Sequence, residues 1–305
     1  MNSSAAAPPL SRGVLVSLGS SVSFAILYFA TPMLSPLPAE AIWAVRALVT
    51  LPFVGLALLA MRRRSLIVEV GSLVRRRPIA LLGILICGLM LSAQLWVFGW
   101  APLHGRGLQV ALGYFLLPLV LVVIGKFLYR DHLRWWQWVA AGVAAIGVVW
   151  EIVRMGGVSW ETLLVALGYP VYFVLRRSLG TGHIGGMFWE LLTVLPLAAT
   201  VLGIEIATGT AFSEHPDLQW TAPLFALFAA FALLLYILAS KLLSMSLFGL
   251  LSYAEPALLV VASLLLGETI ASGEWPTYIA IWIAVAILVL GGLGELLRAR
   301  RTRLD

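Results

Sequence analysis

The sequence predicts an all-α integral membrane protein of ten transmembrane helices, arranged as two inverted five-helix repeats. Three observations predict it. First, ten apolar runs occur, at about 13–34, 39–61, 79–101, 106–128, 134–152, 159–178, 184–206, 218–240, 246–266 and 274–296. Each is near the roughly 20 residues that a helix needs to cross a ~30 Å hydrocarbon core. Second, assigning the loops to alternating sides puts Arg12, Arg62–Arg64, Arg75–Arg77, Lys126, Arg130, Arg134, Arg176, Arg177, Lys241, Arg298, Arg300, Arg301 and Arg303 on one side. Arg106 and Arg154 fall on the other, and Arg46 lies inside a span. The positive-inside rule makes the rich side cytoplasmic and places both termini there. Third, the halves match in order: Tyr28-Phe29 with Tyr172-Phe173, Leu51-Pro52 with Leu195-Pro196, and Leu112-Gly113-Tyr114 plus Pro118 with Leu251-Ser252-Tyr253 plus Pro256. Asp131 after the fourth span matches Glu268 after the ninth. An odd number of spans inverts the second copy, giving repeats at 1–152 and 153–305, an architecture of secondary transporters.

Composition excludes a soluble domain. Charged residues make up 11% of the chain, against about 25% in soluble proteins, and the mean hydropathy is +1.00. The net charge of +6 sits at loop edges without aromatic interleaving. It therefore points to topology and anionic lipid headgroups, and nucleic acid is not an expected partner.

Taken in order, the first run is too long for a signal-peptide core and is expected to be a retained span. The second carries Arg46. The loop 62–78 has an amphipathic stretch (Leu66, Ile67, Val70, Leu73, Val74) expected to lie along the membrane surface. The third span contains Cys87, the single cysteine, which excludes an intrachain disulfide, and Gln94. The fourth contains Gln109, Tyr114 and the helix-breaking Pro118, and ends near Lys126, which can snorkel. The fifth opens on Trp135, Trp136 and Trp138. These, with Trp160 at the sixth span, Trp220 at the eighth and Trp275 at the tenth, read as headgroup-level belt residues. Trp43, Trp96, Trp100, Trp189 and Trp282 lie further in; those beside polar groups, Trp100 and Trp189, are candidates to line a cavity. The seventh span carries Glu190 and Pro196. The loop 207–217, with Glu214, His215, Pro216 and Asp217, is a connector. The ninth span holds Tyr253, Glu255 and Pro256.

Ionisable groups inside a membrane cost roughly 2.5–3.5 kcal/mol each on insertion scales, so each needs a reason. Arg46 and Glu190 occupy repeat-equivalent positions with opposite charge. They are expected either to pair across the repeat axis and fix how the halves pack, or to act as a gate or substrate-carboxylate clamp. Glu255 precedes Pro256, which removes a helix hydrogen bond and frees a carbonyl at mid-depth. Burial disfavours the charged carboxylate, which suits a proton carrier. Packing through a hydrogen bond to a neighbouring helix is the other reading. Gln94 and Gln109 serve interhelical hydrogen bonds or line a cavity. Tyr114 and Tyr253 are expected to donate hydrogen bonds into it.

The four histidines lie in loops without ligand spacing, so no metal is expected. No Walker motif and no Gly-x-Ser-x-Gly occur, so no cofactor, nucleotide hydrolysis or other catalysis is expected.

These residues resemble the RarD-type permeases of the EamA branch of the drug/metabolite transporter superfamily. The stretch Leu112 to Pro118 resembles the family's fourth-span signature, and Leu133 to Trp150, with Gln137-Trp138 and Gly147-Val148, its fifth span. Arg46 matches its second-span arginine, Glu190 with Pro196 its Glu-Thr…Pro pattern, and Thr277 to Val289 its last span. Gln94, Gln109 and Leu117 stand where the family pattern usually has Asn, Glu and Asn. Glu255 stands where RarD types often have a small residue, although Glu-Pro is usual in the wider EamA family. The resemblance implies two five-helix EamA repeats, an inner-membrane location and export of small organic molecules. The expected partners are a small-molecule substrate, the bilayer and protons as coupling ion, with a homodimer as an option. A non-transporting scaffold or sensor is the alternative, against which the lack of a soluble signalling module counts. A membrane transferase lacks its polar catalytic loops.

Overall fold

The computed structural model describes residues 10–129, 135–155, 157–243, 248 and 251–301. Among them every regular element is helical. In chain order these are α1 (Leu10–Ala30), a 3₁₀ turn (Thr31–Leu34), α2 (Ala39–Ala60), α3 (Ser65–Arg76), α4 (Ile79–Leu103), α5 (Gly107–Tyr129), α6 (Trp135–Met155), α7 (Trp160–Leu179), α8 (Ile184–Thr208), the short α9 (Ala211–Glu214), α10 (Leu218–Leu242), α11 (Ala254–Leu265) and α12 (Trp275–Arg301). Six described helices, α1, α2, α4, α6, α8 and α10, are long and apolar enough to cross a membrane. Shorter apolar stretches lie in α5, α11 and α12. Helix α7 carries Glu161, Arg176 and Arg177 within its 20 residues, which dilutes its apolar character. Asp131, Arg130, Arg134 and the beginning of the ninth apolar run lie outside the described residues.

The ninth run is interrupted beside Pro256: Phe248 and Leu251 are helical, Ser252 and Tyr253 form a turn, and α11 begins at Ala254. Pro256 sits in the first turn of α11, where the missing N–H has no intrahelical partner to lose. The 12 residues of α11 reach only about 18 Å at 1.5 Å per residue. Pro118, in contrast, stays inside the continuous α5.

The principal helix contacts are α6 with α12, α1 with α10, α2 with α8, and α5 with α7. Around these, α10 meets α2, α4 meets α7 and α8, and α11 meets α1 and α5. The largest core cluster joins Leu27 and Tyr28 of α1, Phe98 of α4, Leu108 of α5, Leu259 of α11 and Ile281 of α12. Large apolar side chains such as Met33, Ile146, Val153, Trp220 and Leu290 face outward, as a molecule surrounded by lipid requires. Small residues set the close approaches. At Gly88, where α4 crosses α8, a Cβ would stand 2.7 Å from the Glu190 carbonyl oxygen.

Helix ends define two faces. On the arginine-rich face the amphipathic α3 packs on α8. Trp189 Nε1 donates to the Ile67 carbonyl at 3.0 Å, and a Cβ on Gly185 would meet Leu66. On the opposite face Arg106 and Arg154, the two basic residues away from the rich side, are both paired. Arg106 Nε lies 2.6 Å from Glu161 Oε1. Arg154 Nη2 lies 2.6 Å from Glu151 and 3.3 Å from Glu274. There too Glu268 accepts the backbone N–H groups of Gly107 and Leu108, at 2.7 and 2.9 Å. A carboxylate at a helix N-terminus satisfies orphan donors and complements the helix dipole. Gly107 lets these groups approach closely, because a Cβ there would displace the Ser263 and Tyr28 hydroxyls.

Candidate functional site

Four polar side chains converge deep in the bundle from four helices. Arg46 comes from α2, Tyr114 from α5, Tyr169 from α7 and Glu255 from the first turn of α11. The Tyr114 and Tyr169 hydroxyls are hydrogen-bonded at 3.3 Å, with ring centroids 5.8 Å apart. Arg46 lies within electrostatic range of both tyrosines, and so does Glu255. The Arg46 guanidinium carbon is 5.6 Å from the centroid of the Phe98 ring, a cation–π contact. Arg46 is only 6% exposed, whereas Tyr114, Tyr169 and Glu255 are partly accessible. They line a crevice between the helices. Among the described residues neither the Arg46 nor the Glu255 side chain has a hydrogen-bond or ion-pair partner.

The expected Arg46–Glu190 pair is not formed. Glu190, fully buried, takes its partners from α7. Arg176 Nε lies 2.8 Å from Glu190 Oε1, an ion pair whose N–H is not aimed well enough to count as a hydrogen bond. The Tyr172 hydroxyl donates to Oε2 at 2.9 Å. Local structure places Arg176. Helix α7 ends at Gly180, whose φ of 72° turns the chain back, so Arg176 Nη2 also reaches the Thr181 and His183 carbonyls at 3.1 and 2.9 Å. The register of α2 on α8 explains why Arg46 is excluded. Ala44 and Ala47 cluster with Ala198, while Leu51, Val54 and Leu58 cluster with Leu191. Arg46 therefore lies level with Ala198, offset along α8 by about 12 Å, or eight residues, from Glu190.

Other expected site residues are dispersed. Gln94, 1% exposed, bridges α4 to α7 by donating from Nε2 to the Leu164 carbonyl at 2.7 Å. Trp100 belongs to an aromatic group near the opposite face, stacked on His104 with centroids 4.2 Å apart and tilted against Trp160. Trp189 anchors α3. Tyr253 is buried at the start of α11. The Tyr114 hydroxyl pairs with that of Tyr169. Sequence reading missed Tyr169, whose only signal is a tyrosine beside Pro170 in an apolar run. It also missed Arg176, which sorts with the loop arginines.

A cavity of about 300 Å³ opens between α5, α6, α7 and α12 and is lined by Arg106, Gln109, Glu151, Thr162, Glu274 and Tyr278. Here Gln109 stands apart from the crevice, its backbone carbonyl accepting from Thr162 Oγ1 at 2.8 Å. Outside the spans, the hydrogen bond to Glu161 holds the Arg106 guanidinium above its ordinary range. Among the described residues no group of His, Cys, Asp or Glu has a metal-binding arrangement.

No protein-family model matches the chain. It is 38% identical to the chloramphenicol-sensitive protein RarD of Pseudomonas aeruginosa, over 90% of this chain and 93% of that protein. It is 33% identical to an uncharacterized transporter of Haemophilus influenzae (92% and 94% covered). It is 34% identical to an uncharacterized transporter of Pasteurella multocida (94% and 98% covered). A solved crystal structure is similar at a TM-score of 0.52 and 23% identity, over 96% of this chain and 99% of that one, a likeness of fold alone. Apolar helices, buried intramembrane charges and relatives that match almost end to end lead to one conclusion: the chain belongs to the RarD-type permeases, a family of multi-pass membrane transporters.

Proposed function

We propose that the chain is a secondary active transporter of small organic solutes or metabolites, which it exports by alternating access at the crevice between two inverted five-helix repeats. It sits in the bacterial inner membrane with both termini cytoplasmic. One observation carries the reading. Arg46 and Tyr114 come from residues 1–152, and Tyr169 and Glu255 come from residues 153–305, so the two charges approach one tyrosine pair that joins the halves. Midplane polar sites at a repeat interface are the mark of such transporters. The helix contacts support the two-fold relation. Pairing α1, α2, α4, α5 and α6 with α7, α8, α10, α11 and α12 maps α1–α10 onto α7–α4, α2–α10 onto α8–α4, and α5–α7 onto α11–α1. The contacts α2–α8, α5–α11 and α6–α12 map onto themselves. The Arg176–Glu190–Tyr172 group near the arginine-rich face and the Arg106–Glu161 pair near the opposite face are placed to brace the two ends of the path.

The test is transport in proteoliposomes. Labelled solutes are offered to the purified protein with and without a pH gradient, beside Tyr114→Phe and Glu255→Gln. Protein-dependent movement that the variants reduce is expected. Solute movement equal to that of protein-free vesicles across the panel would remove transport as the function.

A further inference from the structure

We propose that the crevice recognises small organic acids. A solute carboxylate accepts paired hydrogen bonds from the Arg46 guanidinium and one from the tyrosine pair, and its apolar body lies against Phe98, Tyr114 and Tyr169. The proposal rests on the reading of this crevice as the transport site.

The first argument is the state of Arg46. An arginine carries five N–H donors and no acceptor. Among the described residues Arg46 uses none of them, although it is 94% buried, the complement of its 6% exposure. The other deeply placed arginine, Arg176, has a carboxylate and two carbonyls around it. A cation withdrawn from water with only an aromatic ring beside it is costly, and the planar fork of a guanidinium matches a carboxylate with two parallel hydrogen bonds.

The second argument is independent and concerns protons. Two phenols bring two O–H groups, and the single Tyr114–Tyr169 hydrogen bond uses one. The second hydroxyl proton is free to donate. Beside Arg46 the crevice thus presents donors, which suits an anion, and among the described residues the carboxylate that acts on the tyrosine pair is Glu255. The aromatic walls set the body of the ligand. The Phe98 ring lies beneath the guanidinium, and Tyr169 stacks on Phe173 with centroids 5.9 Å apart.

The experiment is thermal unfolding of the purified full chain in detergent at neutral pH. The probes are aliphatic and aromatic monocarboxylates, from acetate to phenylacetate and naphthoate, each matched to the amine of the same skeleton. Without ligand, Arg46→Gln should raise the midpoint by about 2 °C or more, because it removes an unpaired buried charge. At least one carboxylate should stabilise the unaltered protein saturably. Arg46→Gln should weaken that response at least tenfold, Arg46→Lys should weaken it less, and the matched amine should give no response that depends on Arg46. A lower midpoint for ligand-free Arg46→Gln overturns the proposal, because it makes the residue structural. So does a panel in which no carboxylate stabilises the unaltered protein more than the Arg46 variants, or in which only amines do. Binding in detergent reads recognition alone. A carboxylate that binds through Arg46 but does not move in vesicles would refute transport and leave this inference standing.

Discussion

Removing Arg176 should destabilise the protein more than neutralising its partner Glu190. With Arg176→Met the Glu190 carboxylate, fully buried, keeps only the Tyr172 hydroxyl. Breaking a buried ion pair in this way costs about 3–5 kcal/mol. The 13% exposure of Arg176 lets water relieve part of the penalty, which favours the lower end, about 3 kcal/mol. Glu190→Gln is milder. The amide still accepts from Tyr172, and Arg176 keeps the Thr181 and His183 carbonyls, so about 1–2 kcal/mol is expected for one weakened charge-assisted contact. The double variant strands no charge and should be no worse than Arg176→Met, giving a coupling energy of about 1–3 kcal/mol. The parallel cycle of Arg46→Gln with Glu190→Gln should be additive to within about 0.5 kcal/mol, since the two groups lie apart. Cys87 supplies the assay. It is the single cysteine and is fully buried, so a thiol-reactive dye reports global unfolding in detergent. An Arg176–Glu190 coupling indistinguishable from zero, or a large Arg46–Glu190 coupling, would refute the assignment of partners.

Glu268→Ala should cost about 1–3 kcal/mol in the same assay, because it leaves the Gly107 and Leu108 N–H groups without their acceptor; an unchanged midpoint would mean that water replaces the cap. Glu255→Gln should leave unfolding nearly unaltered and flatten the pH dependence of solute transport in vesicles, whereas an unchanged pH profile assigns Glu255 to packing. A reporter fused after Asp305 should read cytoplasmic and one inserted near Pro216 external; the reverse at either point would overturn the topology.

The apolar runs locate most of the helices to within a few residues, because length and hydropathy are local properties of the chain. The run 39–61 corresponds to Ala39–Ala60, and 184–206 to Ile184–Thr208. The amphipathic α3 was equally legible from Leu66, Ile67 and Val70. Arg46 and Glu255 stood out because a charge in an apolar run is conspicuous, and both lie in the crevice. Their neighbours were not legible. Equivalent positions in two repeats meet only if the register of the contacting helices allows it, and the α2–α8 register is set by Ala47, Leu51 and Ala198, whose mutual contacts no local pattern announces. Arg176 was hidden for a related reason. An arginine at a helix end serves topology and pairing alike, and only the turn at Gly180 reveals that it points inward. Tyr169 carries no charge and has no repeat partner, so only the folded chain singles it out.

The seat of Glu268 at the start of α5 has a consequence for how the protein is made. The carboxylate and the first amide it accepts are 161 residues apart. At about 5–20 residues per second of synthesis, α5 is complete for on the order of ten seconds or more before its cap exists. During that interval its first two amides must be served by water or lipid headgroups, which keeps this end of α5 at the membrane surface. Closing the early helices around it therefore waits for the last part of the chain. A truncation that ends before Glu268 would leave a helix terminus whose open donors quality-control proteases and chaperones can meet.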